Sequence, residues 1–158
     1  MHKAKGFSLI ELLIVVAIIL IIAAIAVPSF LNSRLQANES SAAASVRTLN
    51  SAQISYNSTY PSVGFASSLS NLSGTSCTPP TSTGACLIDT GLASGVHSGY
   101  SFVLTGVTGT PGSTYQVIAS PTQPGSSGYR YFCSFADAVV RVSLNSITTC
   151  DTTIQPQP

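Results

Sequence analysis

The sequence predicts an α+β protein in which one long N-terminal α-helix packs against a C-terminal antiparallel sheet of about four strands. Three observations predict this class. A nearly unbroken apolar run lies close to the N-terminus, an amphipathic pattern with helical spacing follows it to Tyr60, and short segments rich in β-branched and aromatic residues begin after Gly99. We expect the sheet to cover the apolar stripe of the helix and so to form a small head domain.

The apolar run extends from Phe7 to Val27, and Ser8 and Glu11 are its only polar side chains. At about 1.5 Å per residue, a helix of this length spans roughly 30 Å, the thickness of one hydrocarbon core. The short basic stretch with Lys3 and Lys5 predicts a cytoplasmic N-terminus and places the bulk of the chain outside. A carboxylate inside such a helix is energetically unfavourable, so Glu11 is a functional candidate that needs a cationic partner.

The helix is expected to continue beyond the apolar run, from Phe7 to about Asn57. We expect a kink near Pro28, because proline removes a backbone hydrogen bond from a helix interior, and a stop before Pro61. Polar residues such as Glu39 and Arg47 are expected on the other faces of the helix. The apolar stripe expected to face the head consists of Leu31, Leu35, Ala42, Val46, Leu49, either Gln53 or Ile54, Tyr56 and Tyr60.

The head is expected to begin at residue 61. Residues 61–98 are rich in Ser, Thr, Gly and Pro and predict a long connecting loop. Four β-rich segments follow it in order, separated by turn residues, and this arrangement favours an antiparallel meander. The expected strands are Tyr100–Thr105, Thr114–Ser120, Tyr129–Phe135 and Ala138–Leu144.

The stretch Lys5-Gly6-Phe7-Ser8-Leu9-Ile10-Glu11-Leu12 resembles the class III signal of type IV prepilins and pseudopilins. The resemblance implies that a prepilin peptidase cuts between Gly6 and Phe7 and methylates the new amino group of Phe7. It also implies the pilin fold, with a proline at the position of Pro28. The specific motifs lie in the helical part of the chain, and the head matches in architecture alone.

The same resemblance implies a role for Glu11. In this family the carboxylate of an incoming subunit neutralises the amine of its neighbour, here the amine of Phe7. Such a pair would favour one axial stagger between subunits, because other registers leave an unpaired charge in a low-dielectric environment. A pair within one chain is also conceivable, since Phe7 and Glu11 are about one helical turn apart.

The four cysteines allow three disulfide pairings. We expect Cys77 to pair with Cys86 and Cys133 with Cys150, because each bridge closes a local loop and an outward-facing domain lies in an oxidising compartment. The second pair also resembles the disulfide-bounded loop of type IVa pilins. A metal site is the competing interpretation, but no C-x-x-C spacing occurs and His97 is the only histidine beyond the leader, so we expect no metal.

The resemblance implies the structural subunit of a type IV pilus that serves adhesion, twitching motility or DNA uptake. The expected organisation is a leader peptide at 1–6, a transmembrane and assembly helix at 7–28, an amphipathic half at 29–60 and a head at 61–158. The expected partners are further copies of the chain in a helical filament, the inner membrane, prepilin peptidase and the assembly machinery. We expect a single-pass inner-membrane protein before assembly and an extracellular filament afterwards.

Other functions stay open at this point. A pseudopilin of a type II secretion system shares the N-terminal signal. An ordinary secretory signal cut near Ala24-Ile25-Ala26, or a membrane anchor for a secreted enzyme or binding domain, would explain the apolar run without the motif around Glu11. No lysine follows Gly6 and the arginines are dispersed, so we expect no enzymatic activity, no cofactor and no specific binding of nucleic acid.

Overall fold

The computed structural model describes residues 7–74 and 77–158, and it divides into two compact units with the boundary between Arg34 and Leu35. One helix, α1 (Leu9–Thr59), contributes residues to both units. A long N-terminal helix and an antiparallel sheet form the α+β fold that the sequence predicted. The sheet has five strands rather than the expected four.

In the first unit α1 is mainly apolar, and no other described part of the chain covers its large side chains. Every large apolar side chain from Phe7 to Leu31 is exposed. Pro28 lies inside α1, and the helix continues through it. Because proline has no backbone N–H, the carbonyl of Ala24 lacks its usual helical donor there. The kink near Pro28 stays a prediction.

The second unit is built around the part of α1 that follows Arg34. Leu31 and Ile54 of the expected stripe are exposed, and of the two alternatives at the sixth position the structure buries Gln53. Glu39 is also buried, although it lies outside the expected apolar stripe. The buried residues of α1 are Leu35, Glu39, Ala42, Ala43, Ser45, Val46, Leu49, Asn50, Ala52, Gln53 and Tyr56.

The five strands form one sheet in the order β1-β2-β3-β4-β5, and all neighbours are antiparallel. The meander predicted from the sequence is therefore present, and β2 has the expected bounds. The other three expected strands are shorter or shifted. Before β4, for example, the backbone N–H groups of Tyr129 and Arg130 donate to the Glu39 side chain. The strands are β1 (Val96–His97), β2 (Tyr100–Thr105), β3 (Gln116–Pro121), β4 (Tyr131–Phe135) and β5 (Arg141–Ser143).

The strand that the sequence analysis missed is β1. Its two residues are too few to produce an alternating pattern. His97 pairs with Tyr100 across a two-residue turn, in which Ser98 has a φ of 48° and Gly99 a φ of 76°. Positive φ at both central positions is the geometry of a type I′ hairpin turn, which matches the twist of the flanking strands. The Ser98-Gly99 dipeptide was the sequence signal for this hairpin.

The core lies on both faces of β3. Val117 and Ala119 face the main cluster, which includes residues of α1, β2 and β4. Ile118 faces a second cluster with Cys133, Ile147 and Cys150. The chain after β5 therefore covers part of the second face. Because β3 is buried on both faces, its sequence contains a continuous apolar run in place of alternating polar and apolar residues.

The segment between α1 and β1 is a connecting region, as expected, but it also contains two one-turn helices. These are α2 (Leu69–Leu72) and α3 (Thr90–Ala93). Each has a side chain that caps its N-terminus: Ser68 accepts a hydrogen bond from an α2 backbone N–H, and Asp89 does so for α3. The Leu92 N–H at this cap lowers the pKa of the Asp89 carboxyl.

Both disulfides are present in the structure, with nearest neighbours paired. Cys77 is bonded to Cys86 and Cys133 to Cys150, and the Cα atoms are 5.8 Å apart in each bridge. Each of the four cysteines therefore belongs to one disulfide. The first bridge closes a loop in the connecting region, and the second ties the segment after β5 to β4.

Candidate assembly site

Two of the predicted processing and pairing residues, Phe7 and Glu11, lie at the start of α1. Gly6 lies outside the described residues. Phe7 and Ser8 precede the first helical residue, Leu9, and the side chain of Phe7 is exposed. The structure therefore places Phe7 in the non-helical stretch immediately before the helix, with Glu11 in the first turn.

Glu11 has a local partner that the sequence analysis did not identify. Its Oε2 accepts a hydrogen bond of 2.9 Å from the backbone N–H of Ser8. A serine followed three residues later by a glutamate that bonds back to it is the sequence signature of a capping box, of which this is one half. The Ser8-Leu9-Ile10-Glu11 spacing could therefore have predicted the contact. A carboxylate in the first turn also interacts favourably with the helix dipole.

This contact bears on what the carboxylate can do chemically. A carboxylate has two oxygens and about four lone-pair sites, so one hydrogen bond from Ser8 leaves capacity for a cation. The contact also fixes the carboxylate beside the residue that follows Phe7. Capping of its own helix and pairing with an amine are therefore compatible roles for Glu11.

The apolar part of α1 gives the second half of the site. Within the described residues, α1 is long and apolar enough to cross a membrane, and its most apolar 18-residue window has a mean hydropathy of 3.3. None of that window is buried within the chain. A surface of this size must be covered by lipid or by other apolar helices, because its exposure to water is strongly unfavourable.

In the head, Glu39 anchors the loop between β3 and β4 to α1. Its Oε1 accepts backbone hydrogen bonds from Tyr129 (2.8 Å) and Arg130 (3.2 Å), and its Oε2 lies 3.0 Å from Nε of Arg130. The hydroxyl of Tyr100 donates to the carbonyl of Arg130 at 2.8 Å. Burial raises the pKa of Tyr100, and the Glu39 carboxylate raises it further.

A buried polar network holds the other end of the sheet. The side-chain amide of Asn50 donates to Oγ of Ser134 (2.9 Å) and to the carbonyl of Ala138 (3.1 Å). Its oxygen accepts from the hydroxyl of Tyr115 at 3.2 Å. Burial, with a smaller contribution from the charge of Asp137, raises the pKa of Tyr115 to about 12. The network joins α1 to the residue before β3, to β4 and to the turn after β4.

The other predicted site residues lie apart from this helix start. Pro28 lies further along α1, and the four cysteines lie in the head. Across residues 7–74 and 77–158, no group of three or more His, Cys, Asp or Glu side chains could hold a metal ion. The candidate site therefore consists of Phe7, Glu11 and the apolar helix.

Comparison with known proteins gives matches to part of the chain. The family model described as the prokaryotic N-terminal methylation motif matches residues 1–27. A protein of Thermus thermophilus named type IV wide pilus major component is 59% identical over 39 residues, which are 25% of this chain and 30% of that protein. A Myxococcus xanthus protein named type IV major pilin protein is 46% identical over 54 residues, 34% of this chain and 24% of that protein.

The chain thus matches less than a third of the length of these two relatives, and no solved structure matches it. The part that matches the family model contains Phe7, Glu11 and the apolar run. The α+β arrangement of helix and sheet agrees with this assignment. The methylation motif, the two relatives and the fold together show that the chain is similar to type IV pilins.

Proposed function

We propose that this chain is the structural subunit of a type IV pilus filament. The observation that carries the proposal is the exposed apolar surface of α1, which begins inside a methylation motif and carries one carboxylate. Lipid can cover that surface in the inner membrane, and copies of the same helix can cover it in a filament. Both relatives are named as pilus components. The role is structural rather than enzymatic.

In this proposal, prepilin peptidase removes residues 1–6 and methylates Phe7. The new amine carries a positive charge at neutral pH and lies at the helix start that holds Glu11. The carboxylate of an incoming subunit pairs with the Phe7 amine of its neighbour while it still caps its own helix. Since unpaired charges are costly away from water, this pair selects one register between subunits.

The filament would be extracellular after assembly and would expose the heads. Adhesion, twitching motility and DNA uptake are therefore its candidate functions. A type II secretion pseudopilin is the alternative, since it has the same N-terminal signal. Two disulfides in the head favour the pilus over the pseudopilus. A membrane-anchored or secreted binding domain is the third candidate, and it gives no role to the motif around Glu11.

Two substitutions at one position separate the capping role of Glu11 from its charge. Glu11→Gln keeps a carbonyl oxygen that can accept from Ser8 and loses the charge, whereas Glu11→Ala loses both. We expect both variants to reach the membrane fraction in normal amounts and to yield few or no sheared filaments. Normal filament yield from Glu11→Gln would refute the charge pair and leave capping as the role of this residue.

A further inference from the structure

The two disulfides differ in their access to solvent. Cys77 is exposed and Cys86 is half-buried. Cys133 and Cys150 are only 0% and 5% exposed, and they lie in the apolar cluster formed with Ile118 and Ile147. Thiol–disulfide exchange requires a thiolate to reach a sulfur atom directly, so access decides which bond can react in the folded protein.

In the loop closed by Cys77 and Cys86, the segment after the turn has backbone hydrogen bonds to the rest of the head, and the segment before the turn has none to other described residues. After the turn, the backbone N–H groups of Ala85, Cys86 and Leu87 donate to carbonyls of residues 71–73, at 2.9, 3.1 and 2.7 Å. Before the turn, residues 77–80 make no backbone hydrogen bond to other described residues. The disulfide is therefore the main attachment of this first arm.

The turn of this loop covers the end of α1. Thr81 and Gly84 exchange two backbone hydrogen bonds, of 3.1 and 3.0 Å. Between them, the carbonyl of Ser82 accepts a 2.6 Å hydrogen bond from the hydroxyl of Tyr56. Tyr56 is fully buried and its ring packs against Tyr60, with the ring centroids 5.0 Å apart. The hydrogen bond from Tyr56 to Ser82 therefore connects the loop directly to α1.

We propose that Cys77–Cys86 is a thiol-exchange site, which an external dithiol opens in the folded protein while Cys133–Cys150 stays closed. Opening releases the arm at residues 77–80, and the backbone bonds of residues 85–87 keep the second arm in place. The loop thus acts as a redox-sensitive strap over the end of α1. The inference concerns the head alone and does not depend on filament assembly.

The chemistry balances with the dithiol as the reductant. Its thiolate attacks Sγ of the exposed Cys77, forms a mixed disulfide and releases Cys86 as a thiolate, which takes up a proton. The second thiol of the reagent, as its thiolate, then attacks the mixed disulfide and releases Cys77 as a thiolate, which is protonated in turn. Two electrons pass to the protein, and the reagent leaves as its cyclic disulfide.

The test is native-state reduction of the full-length chain in detergent micelles. Dithiothreitol is added under non-denaturing conditions, samples are quenched and alkylated at intervals, and chymotryptic peptides are quantified by mass spectrometry. We expect Cys77 and Cys86 to be labelled on the order of tenfold faster than Cys133 and Cys150. Equal labelling of all four cysteines, or earlier labelling of the second pair, would overturn the proposal.

Paired variants and hydrogen exchange test the strap itself. The variant Cys77→Ser/Cys86→Ser should keep its remaining disulfide under the same treatment, whereas Cys133→Ser/Cys150→Ser should lose its remaining one quickly. In the selectively reduced wild-type chain, amide exchange should rise in residues 77–84 and stay unchanged in the sheet. Unchanged exchange in the loop after reduction would show that the bond does not hold the arm, and the strap would be rejected.

Discussion

Removal of the Glu39 carboxylate should destabilise the head more than any other single change to a charged residue of α1. Three hydrogen-bond or ion-pair contacts converge on this side chain, which is 10% exposed. They connect α1 to a loop about 90 positions further along the chain. The substitution Glu39→Ala would leave the backbone N–H groups of Tyr129 and Arg130 without their acceptor.

The expected magnitude follows from the three contacts. A polar group left unsatisfied away from water costs about 1–3 kcal/mol. The ion pair adds at most about 1 kcal/mol, because the Arg130 side chain is 52% exposed and its charge is largely screened by solvent. Part of this loss is offset, since the buried carboxylate no longer has to be dehydrated. We therefore expect Glu39→Ala to lower the free energy of unfolding by about 2–3 kcal/mol.

The assay is urea unfolding of the full-length, disulfide-bonded chain in detergent micelles, followed by the near-ultraviolet circular dichroism of its tyrosines. Glu39→Gln is the matched control, because its carbonyl oxygen can still accept from the backbone, and it should lose about 1 kcal/mol. Arg130→Ala removes only the exposed half of the ion pair and should lose less than that. If Glu39→Ala unfolded at the wild-type urea concentration, the anchoring role of Glu39 would be refuted.

The buried polar network and two titrations supply the remaining predictions. Asn50→Ala should destabilise the head by about 2 kcal/mol, because the hydroxyls of Tyr115 and Ser134 lose their buried partner, and an unchanged melting temperature would contradict this. Burial opposes ionisation of Asp137, but the hydrogen bonds from Arg141 and from the Val139 N–H, together with the positive charge of Arg141, outweigh it and lower the pKa of this carboxyl. A pKa depressed by folding gives stability that is present above about pH 4 and lost as the pH falls through the folded value, so Asp137→Asn should flatten this part of an acid-unfolding curve. The pKa of Tyr115 is raised to about 12, so its contribution is present below about pH 10 and is lost as the pH rises towards 12. Tyr115→Phe should remove one late step from the ultraviolet titration of tyrosinate, and an unchanged titration would contradict the assignment.

The sequence predicted the elements whose patterns are local. The long helix, its stop before Pro61 and the bounds of β2 all follow from hydrophobic spacing and turn residues. The strand expected at Ala138–Leu144 is shorter because Ala138 has a φ of 58° and the side chain of Asp137 accepts from the Val139 N–H. Local strand propensity cannot reveal a turn that a side chain stabilises in this way.

Contacts between distant residues could not be predicted from periodicity. Gln53 is buried in place of Ile54 because its amide group both donates to the Ala66 carbonyl (3.0 Å) and accepts from the Ala66 N–H (2.9 Å). Glu39 is buried because the loop before β4 brings two N–H groups to it. A charged or amide side chain enters a core only where such partners exist, and these partners lie far away in the sequence.

The site at the start of α1 was accessible to sequence reasoning in part. The motif and the energetic cost of a carboxylate in an apolar helix predict that Glu11 is a functional residue. The S-x-x-E spacing from Ser8 to Glu11 indicates the hydrogen bond between them, whereas the cost of the carboxylate indicates only a cationic partner. The proposed pairing of Glu11 with the Phe7 amine of a neighbouring subunit would be an intermolecular contact, so the structure of one chain does not contain it.

The most direct test of the proposed function is the intact mass and N-terminal fragment spectrum of protein sheared from the cell surface. We predict a chain that begins at Phe7, carries one added methyl group on its amine and has the mass deficit of two disulfides. Such a species would establish processing, export and filament location in one experiment. A chain that begins at Val27 and is released as a monomer would contradict the proposal and indicate an ordinary secreted domain.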